Sequence, residues 1–92
     1  MLPNTGTLTL GTTPLLLFEL RLLPRKDMII TNLSTHNQQV IVSEGQPPQN
    51  GSGVVLLPGS SYSLQPGTVS FGRIWVVSNS AGATINYLER VF

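Results

Sequence analysis

Apolar residues along this chain come in short runs, each closed within a few positions by proline or glycine. Breakers stand at Pro14, Pro24, Gly45, Pro47, Pro48, Gly51, Pro58, Gly59, Pro66, Gly67, Gly72 and Gly82, leaving no room for a long helix. Between them lie segments rich in Val, Ile, Leu, Thr and aromatic residues, the pattern of strands joined by turns. The spacing predicts strands over 5–10, 15–22, 27–32, 38–43, 53–57, 60–64, 72–78 and 84–91. About eight short strands imply an all-β fold: an antiparallel β-sandwich or a jelly-roll-like small barrel.

The turns carry their own signals. Asn50-Gly51 suits a tight turn or a loop tip, because both residues tolerate positive φ. Pro58-Gly59 and Pro66-Gly67 each put a fixed φ before a glycine, as a type II turn requires. Ser78–Gly82 reads as a polar hairpin loop, and Gln46–Gly53 as the most flexible loop.

Alternation within the runs assigns faces. Over 15–22 the set Leu16, Phe18, Leu20, Leu22 reads as core, opposite Leu15, Leu17, Glu19, Arg21. Several other segments are apolar on both faces: Ile74 and Val76 oppose Trp75 and Val77, and Val40 and Val42 oppose Ile41. Met28 and Ile30 likewise oppose Ile29, and Val54 and Leu56 oppose Val55 and Leu57. An isolated two-layer sandwich needs only one apolar face per sheet. Either loops cover the second face or another subunit does.

Length sharpens that choice. Ninety-two residues make one domain (1–92), with 1–14 as a candidate N-terminal arm. A chain this short buries roughly two-thirds of its unfolded surface and leans on disulfides, metal or association. There is no cysteine, which removes disulfides and thiolate metal sites and favours oligomerisation. Charged residues are only 10 %, against about 25 % in ordinary domains, and the net charge is +1. Five scattered cations give no nucleic-acid footprint. The run Leu15–Phe18 falls far short of the ~20 residues of a membrane helix, and Met1–Gly6 lacks the features of a signal peptide.

Catalytic chemistry does not assemble from these residues. His36, the single histidine, could borrow Ser34 and Asp27 for a triad, but no nucleophile elbow accompanies them. The carboxylates Glu19, Asp27, Glu44 and Glu89 lie in separate segments, and surface pairing with nearby cations (Arg21, Lys26, Arg90) is the default for all except Glu44. Gly51-Ser52-Gly53 lacks the lysine and helix of a phosphate loop. Two Asn-x-Ser triplets, at Asn32 and Asn50, are short enough to arise by chance. Trp75, Tyr62, Tyr87 and the phenylalanines are spaced as core residues. The expectation is a protein with no enzymatic activity and no cofactor or metal.

One longer pattern remains. Arg25-Lys26-Asp27-Met28-Ile29-Ile30-Thr31-Asn32-Leu33-Ser34 precedes a further strand and then Gly53-Val54-Val55-Leu56-Leu57-Pro58-Gly59-Ser60-Ser61-Tyr62. The C-terminal portion runs Gly72-Arg73-Ile74-Trp75-Val76-Val77-Ser78 and Ala81-Gly82-Ala83-Thr84-Ile85-Asn86-Tyr87-Leu88-Glu89-Arg90-Val91. Over about residues 21–92 this order resembles small virion proteins of tailed phages and related viruses, in which an Arg-Lys strand closing on Asn-x-Ser precedes a Gly-x-x-Leu-x-Pro-Gly hairpin. The resemblance implies a capsid decoration, cement or minor head–tail protein located in the virion. Its expected partners are a major capsid or other virion protein and copies of itself, a trimer before a pentamer, with no nucleic acid or membrane. Expected contact residues are Leu8 and Leu10 in the arm, Arg25 and Lys26, and Pro47, Pro48 and Asn50 in the loop. The competing expectation is a carbohydrate- or receptor-binding module of a tail or fibre, which needs an exposed patch at Tyr62, Trp75 or Tyr87.

Overall fold

The structure, a computed structural model, describes residues 5–20, 22, 25–35, 37–48, 53–63 and 72–91. Eight strands are present: β1 (Thr5–Leu10), β2 (Leu15–Phe18), β3 (Arg25–Asn32), β4 (Val40–Glu44), β5 (Val54–Leu56), β6 (Ser61–Ser63), β7 (Ile74–Ser78) and β8 (Ala83–Val91). They form two four-stranded antiparallel sheets, ordered β1-β8-β3-β6 and β2-β7-β4-β5. The pairs β1·β8, β2·β7, β3·β6 and β4·β5 are those of one long antiparallel ribbon folded at its middle. Rolling that ribbon adds β3·β8 and β4·β7 and closes the two sheets over a core. This is the jelly-roll order, so the expected all-β sandwich is what the chain forms.

The core is built by alternation. In β8, Ala83, Ile85 and Tyr87 point inward, and in β4 Val40 and Val42 do. Met28, Ile30, Ile74, Val76, Leu56 and Phe18 complete it, the Phe18 and Tyr87 rings meeting edge-on with centroids 5.8 Å apart. Gly6 faces Tyr87 across the ladder because any Cβ there would lie 2.9 Å from the Tyr87 hydroxyl.

β2 ends earlier than alternation predicts. A bulge between Leu16 and Phe18 turns both Leu17 and Phe18 inward. Beyond it Leu20 and Leu22 are exposed, 55 % and 98 %, so the expected core set Leu16, Phe18, Leu20, Leu22 contributes only Phe18 in full.

Residues 5–10 are not a free arm either. Every residue from Thr5 to Leu10 is in register with β8, and Leu10 is buried. After Leu10 the chain crosses to the second sheet, where the Ser78 amide donates to the Gly11 carbonyl at 3.0 Å. β1 and β2 are thereby edge strands on the same side of the sandwich.

Asn32, at the end of β3, fastens the other crossing. Its backbone amide donates to Ser60 O and its carbonyl accepts from Gly59 N. Its side-chain amide donates to Gln38 O at 2.9 Å and Leu56 O at 2.8 Å, and its Oδ1 accepts from Ser34 N at 2.9 Å. Fully buried and fully bonded, this Asn32 has no amide to offer for glycosylation.

Candidate protein-contact surfaces

Residues directly opposite in antiparallel strands project to the same side, so the register defines what each sheet shows to solvent. The first sheet shows the rows Thr5–Leu88–Ile29–Ser63 and Thr7–Asn86–Thr31–Ser61. Apart from Leu88 and Ile29 these are hydroxyl and amide side chains, and Thr31 and Ser61 hydrogen-bond across strands at 2.8 Å. The second sheet turns Leu16–Trp75–Ser43 and Val77–Ile41–Val55 to its outer side, where Val55 is exposed, Val77 is buried and the others are half-buried. Five of those six residues are apolar, and none is charged.

The ends of this second face are polar. Arg73 and Glu19 approach to 3.9 Å with both side chains about half exposed. At the other end the Asn79 amide donates to Gln39 O, and the Gln39 amide donates to Asn79 Oδ1. Alongside lie Val54, Val55 and Leu57, exposed by 46 %, 53 % and 55 %. Trp75, in the middle, is half-buried, and its indole Nε1 is sealed from water with no hydrogen-bond partner among the described residues. An apolar centre with polar groups at its ends has the anatomy of a protein-contact surface.

A charged cluster closes one end of the sandwich. Arg25 Nε donates to Glu89 Oε2 at 2.7 Å, and both side chains are wholly buried. The guanidinium also donates to the Glu19 carbonyl at 3.1 Å, lies 5.8 Å from the centre of the Phe18 ring, and faces Glu44 of the other sheet at 3.9 Å. Tyr62 lies close by. Its phenol is raised above its ordinary range, first by burial and then by the negative charge of Glu44, against a lowering by Arg25. This cluster joins the sheets, and no three metal-ligating side chains gather among the described residues.

These positions revise several sequence expectations. Arg25 and Leu10 are interior residues, 1 % and 3 % exposed, and offer nothing to a partner. Arg25 points inward because a register shift between Arg25 and Asp27 reverses its side. Lys26 and Pro47 are exposed, Leu8 and Pro48 are half-buried, and Asn50 lies outside the described residues, as does His36. Asp27 and Glu19 do pair at the surface, but with Arg90 and Arg73 rather than with their sequence neighbours Lys26 and Arg21, whereas Glu89 is a core residue paired with Arg25. The signal for Glu89 was its shared parity with Ala83, Ile85 and Tyr87. Tyr87 is buried at 3 %, and Tyr62 and Trp75 belong to different sheets, so the three rings form no common patch.

The fold and the two faces thus define a small jelly-roll sandwich with one polar and one apolar surface. No protein-family profile, no curated protein and no solved structure matches the chain.

Proposed function

We propose that this chain is a non-enzymatic virion structural protein, a decoration or cement subunit that stabilises a particle through protein–protein contacts. The observation that carries the reading is the outer face of β2-β7-β4-β5, where half-buried Leu16, Trp75 and Ile41 and exposed Val55 stand without a charge among them. Such a face gains most by being covered with a surface of similar polarity, as a protein lattice provides. The jelly roll recurs in viral capsid proteins, and also in lectins and cupins, so the fold supports the reading by analogy alone. The low charge and the order of turn motifs support it from the sequence side.

The test is direct. An antibody raised against the purified chain is applied to virus particles purified by density gradient from cells carrying its gene. Co-migration with particles in a fixed copy number per shell is expected. Recovery only in the soluble fraction overturns the proposal.

A further inference from the structure

The four edge strands of the sandwich are not equally protected. β5 and β6 have three residues each, and β2 has four interrupted by a bulge. Short and bulged edges resist pairing with another chain. β1 is different. It runs six residues in unbroken register with β8, and its free side meets no other strand among the described residues. It holds no charge, no proline and no bulge, three further devices that blunt an edge.

We infer that β1 is a docking edge for a second copy of this chain, pairing antiparallel with its counterpart across a two-fold axis. The sequence Thr5-Gly6-Thr7-Leu8-Thr9-Leu10 is self-complementary in that sense. Antiparallel pairing centred on Leu8 sets Thr7 against the partner's Thr9 on the outer face and Leu8 against the partner's Leu8 toward the core. Threonine pairs are favourable across strands, and facing leucines gain by burying apolar area. Every β1 side chain keeps its face in such a pairing, and no like charges meet, because residues 5–18 carry none. A charged peptide partner would find nothing here to complement it.

The same side of the sandwich supplies apolar area. Leu8 is half-buried and Leu15, on the neighbouring edge β2, is 38 % exposed, although both sit on core-facing positions. A second copy would finish covering them. A strand of six residues is about 20 Å long, so the contact falls at the small end of specific interfaces, below about 1,200 Å² in total. A reversible dimer is the outcome, with the two β1-β8-β3-β6 sheets merged into one of eight strands. The inference stands apart from the virion reading, which uses the other sheet.

The experiment is light scattering over a dilution series with the full chain, Thr7→Lys and Val55→Lys. Thr7 is exposed on the outer face, so lysine there is tolerated by the fold while its charge opposes edge pairing. A dimer whose Kd rises at least tenfold in Thr7→Lys, is unchanged in Val55→Lys and barely responds to salt supports the inference. Because the chain lacks cysteine, Thr7→Cys with Thr9→Cys adds a second readout, a covalent dimer under oxidation in which position 7 of one copy is joined to position 9 of the other. A monomer at millimolar concentration, or an oligomer indifferent to Thr7→Lys, overturns it. An oligomer dissolved by Val55→Lys alone also overturns it while leaving the virion reading intact.

Discussion

Arg25 and Glu89 form the one fully buried ion pair among the described residues, and each holds the other in a place no lone charge would occupy. Truncating one partner removes a buried counter-charge from the other, and breaking such a pair costs about 3–5 kcal/mol. Domains of this size have about 5–15 kcal/mol in total. Glu89→Leu is therefore expected to lower the urea midpoint severely, and Arg25→Met combined with Glu89→Leu to recover much of the loss. A double variant no better than the single one would refute the pairing argument. Tyr62 gives a pH prediction. Its folded-state pKa lies above the unfolded value near 10.0, so the neutral phenol stabilises the fold. That contribution is complete below the unfolded value and is lost as pH rises through the folded one. Absorbance at the tyrosinate band should show a phenol titrating late, and Tyr62→Phe should remove that phase. Asn32 was readable in part, since it shares parity with the inward residues Met28 and Ile30. The burial of Arg25 was not, because a bulge breaks the parity between it and Met28.

At the level of elements, glycines separate space from backbone strain. Gly53 has φ of +92°, and a Cβ there would sit 2.8 Å from Ile41 Cγ2 and 2.9 Å from the Val42 carbonyl. Gly59 has φ of +85° with open space around it. Left-handed backbone costs an L-residue roughly 1–2 kcal/mol. Gly59→Ala should lose about that much, and Gly53→Ala distinctly more, because the β4 backbone cannot move aside. Thermal melts of the two variants decide it, and equal losses would remove the steric account. Strand positions were legible because proline and glycine mark nearly every turn and the runs between them alternate. The end of β2 was not: the bulge at Leu17 shifts the alternation, and a leucine-rich run conceals such a shift.

For the whole molecule, the difference between the two outer faces is the feature with functional weight. Doubly apolar segments announced it in the sequence, and register sorts them: Trp75, Val77, Ile41 and Val55 come together on one face, whereas on the other Ile29 and Leu88 form a single apolar pair among Thr, Ser and Asn. Which strands neighbour one another depends on long-range closure, and local pattern says nothing of that. Val55→Lys should weaken attachment to particles at least tenfold in a co-sedimentation assay, while stability moves by no more than about 0.5 kcal/mol as for other surface changes. Unaltered attachment would shift the docking role to the polar sheet.

The rolled ribbon also sets a timetable. β1 leaves the ribosome before the seven other strands, and β8, its only neighbour among the described residues, leaves after all of them. Local turns can form early, but the Leu8–Ile85 rung must wait for almost the whole domain to be made. During that interval the least protected strand of the protein has no mate in its own chain. Crowded nascent chains on one messenger would then offer each other the same Thr-Leu strand, so slow translation of the β8 codons should raise the yield of insoluble product, and faster completion of β8 should lower it.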